Sequence, residues 1–374
     1  MTKREKIIAA VFLVLVLALF AGAYTLRQRG QQNTGSGQTS QSDGSSGITE
    51  DSGNAASQEN TNPQAGSQDP ITETAFKLNT VVTISIYDSR DTSLLEGCME
   101  LCDHYEQMFS RTLETSELYQ LNHGELADAD GVSHLSAELA ELIGRGLEYG
   151  QLSGGRFDIA IGPVSSLWDF TSDNPSVPED SLIQAALPLV DYQDVTLDGQ
   201  DLTFQKEGMQ LDLGAIAKGY IADRLKDYLL ENGVESAIIN LGGNVLCVGS
   251  RPDGTPFRVG LQRPFADRNE TIATIEVSDL SVVSSGIYER YFEQDGRLYH
   301  HILDPATGYP CENNLVAVTI LSEESTDGDG LSTTCFALGL EEGMKLIESM
   351  EDVEAMFITE DNALHYSSGF PRGD

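Results

Sequence analysis

Three stretches of the chain place side chains with reactive groups at spacings that chemistry can use. The first is Asp329-Gly330-Leu331-Ser332-Thr333. With Asp329 as the N-cap of a helix, residues four apart share a face and the Thr333 hydroxyl sits over the Asp329 carboxylate. Two hard oxygens at a helix N-terminus suit Mg²⁺ together with a phosphate. An ordinary Asp cap followed by a Thr in the first turn explains the same letters, and for this segment alone it is the commoner case. The second stretch is Asp212-Leu213-Gly214-Ala215-Ile216-Ala217-Lys218-Gly219-Tyr220, running from a strand-like end into a helix. Its small residues let backbone approach a ligand, Asp212 can bond a nucleotide group, and Lys218 can meet a phosphate. It is not a phosphate loop of the GxxxxGK[ST] type, because Gly219 follows Lys218. A tight turn with an exposed lysine is the plain alternative. The third is His300-His301-Ile302-Leu303-Asp304-Pro305-Ala306-Thr307-Gly308-Tyr309-Pro310. A histidine held just before a rigid Asp-Pro, Thr-Gly turn has a defined direction and titrates near neutrality. A surface histidine on a hairpin strand is the alternative. His301 rather than His300 points inward if Ile302 faces the other side, though alternation does not decide between them. Two further segments are weaker alone: Gly154-Gly155-Arg156-Phe157-Asp158 before the only tryptophan, Trp168, and Ser284-Ser285-Gly286 before Tyr288 and Arg290.

Something must position these groups. Val82, Ile84 and Ile86 alternate with Thr83 and Ser85, which predicts a strand with one buried face. Leu94, Cys98, Leu101, Tyr105 and Met108 step by four and three, the mark of an amphipathic helix. Residues 135–152 form a second helix, stopped by Ser153-Gly154-Gly155, and Ile221, Leu225, Tyr228 and Leu229 mark a third, stopped at Asn232-Gly233. Residues 237–241 and 245–249 read as strands joined through Gly242-Gly243-Asn244, and residues 290–293 and 297–301 flank an Asp295-Gly296 hairpin turn. Residues 315–321 and 355–358 are strands; residues 331–338 and 342–350 are helical, the former entered through a loop over 322–328. Strands and helices mix without regular alternation, so the fold class is α+β, with a mixed sheet, rather than doubly wound.

The whole chain of 374 residues carries a formal charge of −37, of which residues 71–374 carry −36. Such a field repels a phosphate backbone and excludes a sequence-tolerant nucleic-acid binder. The five cysteines show no zinc spacing and read as small buried hydrophobes rather than a disulfide framework. Lys3, Arg4 and Lys6 precede Ile7–Leu26, twenty residues without a charge. At about 1.5 Å per residue these span a bilayer core of roughly 30 Å. Residues 1–29 therefore read as a membrane anchor, with Ala21-Gly22-Ala23 leaving a cleaved signal peptide as the alternative. Residues 30–70 are a Gly-, Ser- and Gln-rich tether, too polar to offset their ordering entropy. Residues 71–374 then form the folded domain, held outside the cytoplasm on a single-pass membrane protein.

Taken in order, the motifs resemble the FAD:protein FMN transferases of the ApbE family. The matching runs are Phe109-Ser110-Arg111 with Ser116-Glu117-Leu118-Tyr119-Gln120-Leu121-Asn122, residues 155–163, Asp212 to Tyr220, Asn240-Leu241-Gly242-Gly243-Asn244, Ser284-Ser285-Gly286, His301 to Pro310, and Asp329 to Thr333. The resemblance covers about residues 75–370 and implies a two-lobed flavin-transferase domain. It implies Mg²⁺-dependent transfer of the FMN half of FAD to a Thr hydroxyl of a partner flavoprotein, with release of AMP. Asp329, Thr333 and the backbone carbonyl of Ala215 fall on metal-ligand positions. Leu78, Thr112, Arg156, Phe157, Asp158, Asp212, Lys218 and Leu303 fall on flavin-nucleotide positions. His301 matches the histidine of an HxxDP motif and would assist deprotonation of the acceptor hydroxyl. The expected acceptor carries a Thr flavinylation motif and belongs to a membrane redox complex. Thr112, Gly330 and Cys311 depart from the family pattern, where an aromatic and an alanine are usual at the first two. The same fold would also serve an FAD pyrophosphatase, giving FMN and AMP, or an anchored FAD-binding protein without turnover.

Overall fold

The computed structural model describes residues 69–267 and 270–371. The expected span at 7–26 and most of the tether lie outside these residues. Among those described, no helix is long and apolar enough to cross a membrane. The elements that build the site are β1 (Ile71–Lys77), β2 (Thr80–Ile86), α1 (Ser93–Phe109), α2 (Ala137–Leu152), α3 (Ala217–Glu231), β3 (Ser236–Leu241), β4 (Asn244–Gly249), β5 (Ser281–Gly286), β6 (Tyr291–Gln294), β7 (Arg297–His300), β8 (Leu315–Ser322), α4 (Ser325–Leu338), β9 (Glu354–Thr359) and β10 (Leu364–Tyr366).

An eight-stranded sheet in the order β1-β2-β3-β4-β5-β8-β9-β10 organises the chain. Every neighbouring pair of strands in it runs antiparallel, which corrects the expectation of a mixed sheet. Consecutive strands joined by short turns pair antiparallel, because a parallel return needs a long crossover. Strand β8 is buried along its whole length. Val318 and Ile320 face the core beneath α1, α3 and α4, while Ala317 and Leu321 face a second core closed by the hairpin of Phe257–Gln262 and Thr271–Val277. Burial on both faces explains why β8 reads as a nearly continuous apolar run, broken only by Thr319 before its terminal Ser322. All five cysteines are unpaired, four of them buried, as small hydrophobes should be.

Helix α4 differs from its sequence reading. It starts at Ser325, so residues 325–328 are helix rather than loop, and Asp329 lies inside it rather than at its N-cap. The cap is supplied from a distance. The buried Asp223 carboxylate of α3 accepts from the Ser325 amide (2.7 Å), the Thr326 amide (2.8 Å) and the Thr326 hydroxyl (2.6 Å). These satisfy donors that a helix start otherwise leaves unpaired. Helices α3 and α4 approach closely at Gly219, where a Cβ would lie 2.2 Å from the Ser325 carbonyl oxygen.

Candidate active site

One cavity of about 790 Å³ gathers all twelve residues singled out from the sequence. That volume is within the usual range for a ligand of nucleotide size. Its floor is α4. Asp329, 4% exposed, accepts from the Gly219 amide at 2.7 Å through one carboxylate oxygen, and Lys218 Nζ lies 3.5 Å from the other. Thr333, one turn on, meets the Ser285 hydroxyl of β5 at 3.3 Å. Ser285 also bonds Ser332 at 2.8 Å, so the last strand turn fixes the hydroxyls of α4.

The walls are less free than the sequence suggested. Asp212 accepts from Gly214 N (3.0 Å) and Ser165 Oγ (2.7 Å) and pairs with Arg111 Nε (3.3 Å). Asp158 accepts from the amides of Ala160 and Tyr192, and burial pushes its pKa up to about 6. It therefore shapes the loop below the cavity rather than offering free charge. Phe157, 3% exposed, packs its ring edgewise on Tyr149 and backs the wall from the core side. Arg156 Nη1 sits 3.7 Å from Asp304, in the turn that follows Leu303. Thr112 Oγ1 meets Ser110 Oγ at 3.3 Å. Leu78 reaches the cavity from the β1–β2 turn with φ +54°, a left-handed conformation costing a leucine roughly 1–2 kcal/mol. Such strain is often kept where a side chain must be aimed at a ligand.

The two histidines separate cleanly. His300, 6% exposed, turns into the core, so the inward residue on the strand is His300 and not His301. Its Nε2 meets the Cys311 carbonyl at 3.2 Å and its Nδ1 accepts from Ile302 N at 3.3 Å, so a neutral ring is fully satisfied. Burial holds its pKa down to about 4. His301 lines the cavity, and its Nδ1 meets the Arg290 carbonyl at 3.3 Å. A carbonyl only accepts, so this bond puts the proton on Nδ1 and leaves Nε2 as the basic nitrogen. Burial first, then the charge of Arg290, lower its pKa to about 3, so the ring is neutral at physiological pH.

Arg111, Ser165, Ser285 and Arg290 also line the cavity, and no role for them was read from the sequence. Arg111 and Ser285 lie inside motifs already marked and Arg290 shortly after one, which is the signal that could have found them. Ser165 shows only through its contact with Asp212.

The ApbE family model matches residues 78–357. The chain belongs to the ApbE family. An FAD:protein FMN transferase of Klebsiella pneumoniae is 40% identical over 296 residues, covering 79% of this chain and 90% of the relative. Another, from Treponema pallidum, is 34% identical and covers 78% and 85%. Among solved ApbE structures, the flavin transferase of Vibrio cholerae superposes with a TM-score of 0.72 at 26% identity, covering 81% of this chain and 98% of that one. The ApbE protein of Thermotoga maritima gives 0.73 at 30%, covering 80% and 97%.

The oxygens of this ApbE cavity suit one kind of metal. Asp329 is a single buried carboxylate, Thr333 adds a hydroxyl, and no donor among the described residues is bonded to the Ala215 carbonyl. No group of three His, Cys, Asp or Glu gathers among the described residues. Mg²⁺ fits such a set, since it takes one or two carboxylates and completes its shell with substrate phosphate and water. One departure from the ApbE pattern, Gly330, also finds a cause here. A Cβ at Gly330 would lie 2.4 Å from the Tyr149 ring, so Tyr149 occupies the space an alanine would need.

Proposed function

We propose that this chain transfers the FMN moiety of FAD to a hydroxyl of a target protein, releasing AMP. The observation that carries the reading is the convergence, in one cavity, of a neutral histidine with a free Nε2, a buried carboxylate, and several cations. The reaction joins the acceptor oxygen to the FMN phosphorus and breaks the bridging bond to the AMP phosphate, whose oxygen takes the electron pair. His301 Nε2 receives the hydroxyl proton. The anionic diphosphate offsets the field of Arg290 and Lys218, so FAD binding raises the basicity of His301 at the moment it is needed. Asp329, Thr333 and the Ala215 carbonyl would hold Mg²⁺, which when bound would supply positive charge to offset that of the diphosphate. Leu78, Thr112 and Phe157 border the flavin side; Asp212 and Asp158 shape the loops around the nucleotide, and Arg156, Leu303 and Lys218 complete the wall.

The acceptor is a Thr of a flavoprotein in a membrane redox complex. Residues 1–29 anchor the enzyme in the cell membrane, with residues 71–374 extracytoplasmic and residues 30–70 as the tether. Support for this placement is the uncharged run after Lys3, Arg4 and Lys6 and the polar composition that follows. The test incubates the full-length chain with FAD, Mg²⁺ and a target protein bearing the Thr motif, then reads flavin fluorescence on a denaturing gel. An unlabelled target refutes transfer. AMP release at an equal rate without target favours the pyrophosphatase instead, and FAD binding with neither product leaves a binding protein.

A further inference from the structure

A target protein that delivers a hydroxyl to His301 must lie against the cavity mouth near that ring. Exposed aromatic side chains stand there. Tyr288 and Tyr291 bracket Glu289 and Arg290, both of which line the cavity, and the Arg290 carbonyl accepts from His301 N at 3.2 Å. Phe265, in the turn between Phe257–Gln262 and Thr271–Val277, packs on both tyrosines, with ring centroids 6.1 Å from Tyr288 and 5.5 Å from Tyr291. Tyr288 is half-buried, whereas Phe265 stays 51% and Tyr291 40% exposed. Phe265 also has φ +57°, a left-handed backbone that costs a bulky residue roughly 1–2 kcal/mol. A strained residue whose ring stays half in water is held for something other than the core. Among the described residues, Phe76 is also exposed and lines the cavity itself. It sits on β1 at the edge of the sheet, four strands from β5, or roughly 19 Å at about 4.8 Å per strand, and so away from the end of β5 that leads to Arg290.

We infer that Phe265 and Tyr291 form a docking site for the target protein and bind an apolar side chain in the segment that flanks its acceptor hydroxyl. The inference rests on the transferase reading, which makes the partner a polypeptide. The patch is continuous with the cavity wall, so it adjoins the one place where that partner must already touch this chain. It begins one residue from Arg290, and consecutive Cα atoms are about 3.8 Å apart. An extended segment advances about 3.3 Å per residue, so a side chain about two to four residues from the acceptor hydroxyl meets the rings while the hydroxyl meets His301. An apolar contact also suits the charge of the chain. A net charge of −37 repels an acidic partner, whereas ring burial works for a partner of either sign. A few well-buried aromatic side chains carry much of the binding energy of an interface. The rings contribute no group to the bond-forming step, so their loss acts on capture of the target and not on cleavage of FAD.

The experiment uses full-length Phe265→Gly, Phe265→Trp and Tyr291→Ala chains beside wild type, with Leu230→Ser as the control. Leu230 is 46% exposed but lies near the far end of α3, about 18 Å along the helix from Lys218. Probes are FAD and the whole target protein of the transfer assay, dye-labelled for anisotropy titrations against the FAD-loaded chain. Phe265→Gly and Tyr291→Ala should each raise KM for the target about 10-fold and weaken its binding in parallel. FAD affinity and kcat at saturating target should stay within twofold of wild type. Glycine relieves the left-handed strain, so the flavin-free Tm of Phe265→Gly should equal or exceed that of wild type. Phe265→Trp keeps a ring and should stay within about threefold of wild type, and Leu230→Ser should match it. A target KM within twofold of wild type in either folded variant, Phe265→Gly or Tyr291→Ala, overturns the inference. So does a parallel loss of FAD affinity, which would give the rings to the flavin site, or a lowered Tm in Phe265→Gly, which would give them to the fold. A change of oligomeric state with loss of the ring, read by sedimentation, assigns the patch to a second copy and overturns it too, as does an equal rise of KM in Leu230→Ser. A wild-type chain that binds FAD yet labels no target sinks the transferase reading instead, and the anisotropy titration still judges the patch.

Discussion

Gly219 is the tightest point between the two helices that carry Lys218 and Asp329, and substituting it tests the positioning argument directly. In Gly219→Ala the added Cβ would lie 2.2 Å from the Ser325 carbonyl oxygen, 2.6 Å from its carbon and 2.7 Å from Thr326 Cα. All three are backbone atoms, so no side chain can swing aside. They would have to part by roughly 1.5 Å to reach the usual separation of about 3.5–4.0 Å. Ser325 and Thr326 are in turn bonded to Asp223 on the same helix as Gly219, so separation strains those bonds as well. Overpacking costs about 1–3 kcal/mol, and the Gly219 amide bond to the Asp329 carboxylate is worth about 1.5–3 kcal/mol more. A loss of about 3 kcal/mol corresponds to a Tm lower by roughly 5–10 °C. Moving Asp329 by about 1 Å relative to Lys218 should cut FMN transfer about 100-fold. The control is Gly144→Ala in α2, where the new Cβ meets only Leu197 Cδ2 at 3.8 Å. That variant should gain up to about 1 kcal/mol from helix propensity and keep full activity. Melting curves and gel-fluorescence rates decide the matter. A Gly219→Ala chain that melts and transfers like wild type refutes the reasoning, as does a Gly144→Ala chain equally impaired.

Further outcomes follow from other parts of the site. His300 has a folded-state pKa of about 4 against about 6.5 unfolded, so below pH 6.5 the unfolded chain takes a proton that the folded one refuses. Between pH 7.5 and 5.0 wild type should therefore lose about 2 kcal/mol more stability than His300→Gln, measured by urea melts; equal pH slopes would contradict this. Trp168 is the sole tryptophan and lines the cavity, so FAD titration should quench intrinsic tryptophan emission, and an unchanged spectrum would place FAD elsewhere. Chelation with EDTA should abolish transfer and added Mg²⁺ restore it. Ser285→Ala removes the hydroxyl that meets Thr333 and should raise the Mg²⁺ needed for half-maximal transfer about 10-fold, with KM for FAD unmoved; an unshifted Mg²⁺ curve counts against Thr333 as a ligand.

The sequence exposes elements whose burial is one-sided. β2 alternates and α1 steps by three and four, because each has one face on the core and one in water. Helix α4 hides its start because nearly all of it is buried, so no amphipathic period marks it. Its first turns contain Thr326, Asp327, Gly328, Asp329 and Gly330, a run of poor helix formers. The signal that begins it, Asp223, lies about a hundred residues earlier on another helix. The mixed-sheet expectation failed for a similar reason, since pairing direction across β4, β5 and β8 depends on tertiary path. His300 and His301 show the limit of alternation: period two says that they oppose each other, not that one side is protein core and the other a cavity. The motifs themselves were legible, and their ten singled-out residues meet in one place with Leu78 and Thr112. What they do not reveal is which charges are spent on neighbours, as Arg111 is on Asp212 and Lys218 on Asp329.

The burial of α4 has a consequence for how such a protein can vary. Amides of a central helix exchange with solvent only when the whole domain opens, whereas a turn such as that at Leu78 and Asn79 can open locally. Hydrogen exchange should therefore divide the cavity into a slow floor bearing Asp329 and Thr333 and a fast rim. Substitutions that re-aim the rim act on segments that already open at low cost, while changes to the floor act on global stability. The rim can therefore vary over evolutionary time without disturbing the oxygens of the floor.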